Sequence, residues 1–287
     1  MKYIIAESVD DVLRAFSEND GKAMVLAGGT DLVLDAESGK KSSDAWIDIM
    51  RIPELKEIKT EDNKIVIGSA VTLTEIARSE LIKKYYPSLC KGAGTVGSLQ
   101  IRNAATLTGN IVSAQPAADA AMALAPLDPE IVVVSNEGER ILNMEEMYSG
   151  FGKSAIDSTR ELVKEVRIHI PAENEKASFI RLELRKSLSL PMLNAAARAR
   201  VENGVIKEIM INMAPVGVGP KRARAAEEFL LGKELNEENA AEAGKLALKD
   251  ANPRSNPLRG SKEYREETLP VIIERAVADI GVQLGLL

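Results

Sequence analysis

The spacing of apolar residues changes period at Pro171, and that change commits the chain to two kinds of packing in succession. Before it, short apolar runs alternate with amphipathic stretches. Tyr3-Ile4-Ile5, residues 24–27, Trp46-Ile47-Asp48-Ile49, Ile65-Val66-Ile67 and Ile131-Val132-Val133-Val134 read as strands. Ser8 with Asp11, and Thr72 with Glu75, have capping-box spacing, in which the hydroxyl and the acid each accept from the other residue's backbone N–H. The first predicts a helix with Val9, Val12, Leu13 and Phe16 on one face. The second predicts a helix running toward Tyr85 and ending before Pro87. Pro116 stands where a further helix could begin, and the small side chains of residues 117–125 predict close packing there. Residues 163–170 alternate. Beyond Pro171, residues 172–176 are a polar linker candidate and period two then dominates. Residues 179–184 alternate, and residues 192–201 meet 205–213 across Asn203-Gly204. That pair suits a two-residue hairpin, whose central positions both need positive φ. Helical stretches follow at 221–231, stopped by Gly232, at 237–249, and from Ser261 onward with Pro270 inside. The expected class is α+β, with strand–helix alternation first, then an antiparallel sheet and a helical tail.

With 287 residues there is room for two domains, and the 45% hydrophobic content supports a sizeable core. Aromatics are scarce at 3%, so Ala, Val, Ile and Leu must fill it. A net charge of −6 argues against a nucleic-acid partner held by phosphate neutralisation. No apolar run approaches the roughly 20 residues of a membrane span, and the opening residues meet Glu7 too early for a secretory signal. A cytoplasmic protein without membrane or nucleic-acid contacts is expected. Cys90, the single cysteine, excludes a disulfide framework and by itself cannot hold zinc or an iron–sulfur cluster.

Ala27-Gly28-Gly29-Thr30-Asp31 places a double glycine between two apolar runs. Such a pair can adopt positive φ and offers N–H groups with no Cβ in the way, so it serves equally as a turn or as an anion cradle. A Rossmann fingerprint fails at Thr30 and Val33, and a P-loop ending at Gly152-Lys153-Ser154 fails at Met147. His169 reads as a strand-end residue on a polar face, and Cys90 as a packing residue. Glu227, Glu228, Glu237 and Glu238 read as solvated helix faces. The tract from Gly94 to Asp119 is more informative. It joins a second glycine-bearing loop to hydroxyls (Thr106, Thr108, Ser113), amides (Asn103, Asn110) and one carboxylate. A ligand with phosphates, hydroxyls and a flat polar ring would use all of these.

Taken in order, Ala27-Gly28-Gly29-Thr30-Asp31-Leu32, Ile47-Asp48-Ile49, Ile67-Gly68-Ser69-Ala70-Val71-Thr72, Gly97-Ser98-x-Gln100-Ile101-Arg102-Asn103 and Gly109-Asn110 to Pro116-Ala117-Ala118-Asp119 carry a resemblance. So do Arg185-Lys186 and Gly260-Ser261-x-Glu263-Tyr264-Arg265. Nearly the whole chain resembles the FAD-binding (medium) subunit of the molybdenum hydroxylases, the family of xanthine, nicotinate and aerobic carbon monoxide dehydrogenases. The resemblance implies a two-lobed FAD-binding domain over 1–171, with sublobes at about 1–58 and 59–171. It also implies a C-terminal domain over 176–287 with an antiparallel three-stranded sheet and a helical tail.

Residue by residue, Val25, Leu26, Ala27, Gly28, Gly29, Thr30, Asp31 and Leu32 would form the pyrophosphate loop. Gly97, Thr106, Leu107, Thr108, Gly109 and Asn110 would form the second loop, over the diphosphate and ribityl chain. Ser113 and Asp119 would lie near the ligand, Asp119 accepting from sugar hydroxyls. Leu162 and Val163 would touch the ring system, and Arg181 would be a cation beside the flavin that tunes it. Two residues depart from the family's Gly-Thr-x-Gly-Gly-Asn, where Ala105 and Thr108 replace glycines; Gln115 replaces a serine before Pro116.

The implied activity is electron and hydride transfer at FAD, with no catalytic acid–base dyad and no metal in this chain. A molybdopterin-binding subunit would oxidise the substrate, a purine, nicotinate or similar N-heterocycle. The 2Fe-2S clusters of an iron–sulfur subunit would carry electrons to the FAD, which would pass them to NAD+ or another acceptor. Two alternatives stand beside this: a stand-alone FAD oxidoreductase of the same flavin fold, and a degenerate non-catalytic scaffold subunit.

Overall fold

The computed structural model describes residues 2–257 and 259–287. Its first sheet is parallel, with Ala45–Asp48 between Lys2–Ile5 and Ala23–Leu26. Parallel strands need a crossover, and the helix Val9–Asn19 carries the chain from one outer strand to the other. Both halves of its capping box form: Ser8 Oγ accepts from the Asp11 N–H at 3.2 Å, and Asp11 Oδ2 accepts from the Ser8 N–H at 3.1 Å. Val12, Ala15 and Phe16 of this helix share a core with Ile47 and Ile49.

The second sheet is antiparallel, in the order Ile58–Glu61, Lys64–Gly68, Glu161–His169, Glu130–Ser135, Gly138–Leu142. A run of short helices shares its core. The helix expected after Thr72 is two helices, Leu73–Arg78 and Glu80–Tyr85. Ser79 leaves the helical region with ψ 115°, and its hydroxyl then accepts from the Ile82 N–H to start the next one. The small-residue helix begins at Asp119, not at Pro116, and ends at Leu124. It packs tightly against Pro87–Thr95, where a Cβ on Gly92 would lie 2.4 Å from the Ala123 Cβ.

The third sheet is antiparallel and four-stranded: Glu175–Glu183, Pro191–Glu202, Val205–Ala214 and Lys221–Arg222. The three long strands are those read from the alternation. The fourth is a two-residue edge strand taken from the start of the expected helix, which spans Arg224–Leu230 instead. The polar stretch after Pro171 yields to strand already at Glu175. Asn203 (φ 50°) and Gly204 (φ 78°) turn the hairpin with both φ positive.

This sheet is covered on both faces, as its alternation requires. Ala177, Phe179 and Ala196 join the core of the second sheet's helices. Ala195, Ala197, Ile180 and Leu182 join a separate core beneath Arg224–Leu230, Glu237–Leu246 and Lys262–Gln283. The last helix passes through Pro270 without a break. Gly244 lets the neighbouring helix approach at that point, since a Cβ there would lie 2.4 Å from the Pro270 carbonyl oxygen.

Candidate functional site

A cavity of about 820 Å³ opens where the first sheet's loops, the second sheet's helices and the C-terminal sheet meet. On one wall, the loop after Ala23–Leu26 turns at Gly29, whose φ of 70° favours glycine. Gly28 is constrained by contact: a Cβ there would lie 1.9 Å from the Ala104 carbonyl oxygen. The two glycine-bearing loops are therefore clamped together, backbone against backbone. On the second wall, Gly97 has φ 49°, and Thr106 caps Leu107–Val112 by accepting from the Gly109 N–H at 3.0 Å. Leu162 and Val163 supply apolar surface from the central strand.

Of the residues expected at the ligand, Val25, residues 27–32, Gly97, Thr106, Thr108, Gly109, Asn110, Ser113, Asp119, Leu162 and Val163 line the cavity. Leu26, Leu107 and Arg181 do not. Leu107 is fully buried in the core. Several polar groups that read as ligand donors are occupied within the protein. Thr108 donates to the Ser69 carbonyl at 2.8 Å, Ser113 Oγ donates to the Asn110 carbonyl at 3.1 Å, and Asn110 Oδ1 accepts from the Ala121 N–H at 3.0 Å. Thr108 thus takes a family glycine's place by turning its hydroxyl to backbone.

Arg181, expected beside the cofactor, is held by protein groups. Its Nε donates to both Asp119 oxygens at 3.1 Å, another nitrogen reaches the Ser189 carbonyl, and Glu183 pairs with it at 3.1 Å. Its partners Asp119 and Ser189 both line the cavity, although Arg181 itself does not. Asp119 also accepts from Asn194 Nδ2 at 2.9 Å. Burial pushes the Asp119 carboxyl up from its ordinary value, against the opposing pull of Arg181 and Asn194. The two residues are 62 apart in the chain, and periodicity alone carries no sign of the pair.

Other expectations resolve away from the cavity. His169 ends the strand Glu161–His169 on a polar face, as expected, and that face holds partners: its Nε2 lies 2.5 Å from Glu175 Oε1 and 3.1 Å from the Tyr86 hydroxyl. Arg198 joins them, donating to Glu175 at 2.9 Å and to the Pro126 carbonyl. Cys90 packs as expected, its thiol donating to the Ile76 carbonyl at 3.3 Å and pushed up by burial to about 11. Glu227 is buried, accepting from the Ile211 N–H at 2.8 Å and from Arg222, while Glu228, Glu237 and Glu238 are exposed. Among the described residues no cluster of His, Cys, Asp and Glu is arranged to hold a metal ion, and no helix is long and apolar enough to cross a membrane.

The cavity is also lined by Phe151, Ser189, Val216 and three arginines, Arg254, Arg259 and Arg265. None of these is expected at the site from the residues alone; only Arg265 carries a signal, its place in the Gly260–Arg265 segment of the family resemblance.

Residues 1–173 match the family model described as the FAD binding domain in molybdopterin dehydrogenase, and residues 179–280 match the CO dehydrogenase flavoprotein C-terminal domain. The chain belongs to this FAD-binding family. Among its relatives, the nicotinate dehydrogenase FAD-subunit of Eubacterium barkeri is 31% identical over 264 residues, covering 91% of this chain and 88% of the relative. The xanthine dehydrogenase FAD-binding subunit of Escherichia coli is 27% identical over 284 residues, covering 99% and 97%. The solved carbon monoxide dehydrogenase of Hydrogenophaga pseudoflava that lacks the Mo-pyranopterin moiety superposes with a TM-score of 0.91 at 25% identity, covering 99% and 98%. The chain is thus an FAD-binding subunit of the molybdenum hydroxylase type. Its cavity fits the cofactor. The volume lies in the upper part of the roughly 300–1,000 Å³ range of ligand sites, and the clamped glycine loops leave backbone without Cβ atoms at its edge.

Proposed function

We propose that this chain is the electron-transfer flavoprotein subunit of a heteromeric molybdenum-dependent dehydrogenase of the cytoplasm. In that reading the 2Fe-2S clusters of an iron–sulfur subunit deliver electrons to the FAD, and NAD+ or another acceptor removes them. A molybdopterin-binding subunit oxidises the substrate, a purine, nicotinate or similar N-heterocycle. The clamp between the two glycine loops carries the reading, in a chain whose relatives are named as FAD subunits of nicotinate and xanthine dehydrogenases.

Bound FAD supplies a ring system that takes up and releases electrons. This chain's residues bind and orient it. The N–H groups around Gly28, Gly29 and Gly97 would hold the diphosphate, and Leu162 with Val163 would form an apolar wall for the ring. Asp119 would accept from sugar hydroxyls, with Arg181 acting through it as a positioning residue. Residues 1–171 form the FAD-binding domain and 176–287 the C-terminal domain.

Two measurements test this. The purified chain should show a flavin absorption spectrum that bleaches on reduction, and its native complex should yield a chain carrying iron–sulfur clusters. A chain that takes up no FAD, or one that is fully active alone, overturns the proposal. The burial of Thr108 and its bond to Ser69 weigh against a scaffold with a spoiled loop.

A further inference from the structure

Phe151 sits at the tip of a hairpin whose strands, Tyr148–Gly150 and Lys153–Ser154, pair with each other and with none of the three sheets. Its ring is 51% exposed although it lines the cavity, which places it at the cavity's rim. Facing it, residues 252–256 belong to no helix and to none of the named strands. Arg254 of this segment is also exposed and also lines the cavity. Its guanidinium carbon lies 4.1 Å from the centre of the Phe151 ring. Both elements are fixed at one end. The hairpin is anchored by Tyr148, packed so closely on Gly219 that a Cβ there would lie 2.5 Å from the ring. Its tip is tied through the Gly152 N–H to the Ala114 carbonyl at 3.2 Å. In the facing segment, the Asn252 N–H donates to the Val216 carbonyl at 3.0 Å, and buried Arg265 donates to the Arg254 carbonyl at 2.7 Å. These bonds hold the main chain at Arg254 and leave its side chain to reach the ring.

A cation over an exposed ring favours the closed arrangement by only about two- to fivefold. Such a contact is too weak to hold a cofactor but strong enough to bias an opening. The elements it joins can open, because a two-stranded hairpin by itself is marginally stable and segments with few buried contacts open locally at low cost. We infer that Phe151 and Arg254 form a latch between the hairpin tip and residues 252–256, which closes the rim of the cavity and sets how fast FAD enters and leaves. The inference rests on the flavoprotein reading above, which makes FAD the ligand behind the latch. A latch made between protein groups alone raises the barrier in both directions. Its loss therefore speeds loading and release by the same factor and leaves affinity unchanged. Loss of a ligand contact behaves differently, speeding release and weakening binding.

Stopped-flow measurements on the full chain test this, with wild type, Phe151→Leu, Arg254→Gln and the double variant compared. Loading is followed by the change in flavin fluorescence when FAD meets the stripped chain, and release by the reverse change on dilution. Both side chains are exposed, so the variants keep the core intact. Each single variant is expected to load and release FAD about two- to fivefold faster, with an unchanged dissociation constant. The double variant should be no faster than either single one, because each change breaks the same contact. Arg254→Lys, which keeps the charge, should restore part of the delay. Hydrogen exchange at the Gly152 amide should quicken in the same variants, since its bond to the Ala114 carbonyl opens with the tip. Unchanged rates overturn the inference. So does faster release with a raised dissociation constant, which would make the two residues contacts of FAD itself, and so do additive effects in the double variant. Failure of the flavoprotein reading shows instead as a wild type that takes up no FAD. Exchange at Gly152 then decides the latch, which falls if the variants leave that exchange unchanged.

Discussion

Gly28 and Gly29 are adjacent in sequence but are constrained by different forces. Gly29 needs its backbone conformation, because φ is 70°. A left-handed conformation costs an L-residue about 1–2 kcal/mol, and Asn less than most. Gly28 needs space, because any Cβ would collide with the Ala104 carbonyl at 1.9 Å. Gly28→Ala must therefore push the two loops apart, at a cost of about 1–3 kcal/mol for overpacking, and should release FAD. Gly29→Asn should keep most of both. Thermal melting with flavin absorbance on the two variants checks this; a Gly28→Ala protein with wild-type stability and full FAD would show that the loops are not clamped. The glycine pair itself was legible from the sequence. Its partner was not, because Ala104 is 76 residues away in the chain and nothing local marks the contact. Thr108 and Arg181 show the same limit: each residue type suggested a ligand contact, and each is occupied by a protein group from a different segment.

Elements read well where their signals were local. Both capping boxes and the Asn203-Gly204 hairpin form as their residue types require. The helix opened by Thr72 reads as one and divides at Ser79, while Pro270, compatible with a break or a continuous helix, lies inside an unbroken one; packing decides in both places. His169 shows what the alternation leaves out at this scale. Its place at a strand end on a polar face was legible, but not that the strand Glu161–His169 ends against the start of Glu175–Glu183, where Tyr86, Glu175 and Arg198 meet it. Burial raises the Glu175 carboxyl pKa, but hydrogen bonds and charge from His169 and Arg198 outweigh that, so it titrates below its ordinary value of 4.5. The unfolded chain then binds the proton more readily, and the stability from this group is present above pH 4.5 and lost as pH falls through the lower folded value. Glu175→Gln should cost about 3 kcal/mol at neutral pH, because it leaves the buried Arg198 with only the more distant Glu208 carboxylate, at 3.9 Å. It should also flatten the acid side of the stability curve. Denaturant unfolding of both proteins from pH 3 to pH 7 checks this, and an unchanged acid slope would remove Glu175 from the account.

At the scale of the whole molecule, the cavity belongs to no single sheet. Its walls come from the loop after Ala23–Leu26, the helices around Leu107–Val112, and the C-terminal segments that bear Ser189, Val216 and the three arginines. The C-terminal sheet is tied to the rest by the Asp119–Arg181–Asn194 contact at the cavity and by the Glu175–His169–Arg198 cluster elsewhere, besides the shared core at Phe179 and Ala196. A ligand that spans such a junction binds the assembled form and not its separated parts, so its binding energy stabilises the arrangement as a whole. By mass action, FAD at a hundred times its dissociation constant should add about 2.7 kcal/mol to unfolding. Two coupled sheets should then melt in one transition that moves upward together as FAD is added. Scanning calorimetry of the stripped and FAD-loaded chain distinguishes this from independent parts. An upper transition that stays in place while only a lower one moves would mean that the C-terminal sheet takes no share of the cofactor, and would detach the arginine-bearing wall from the site.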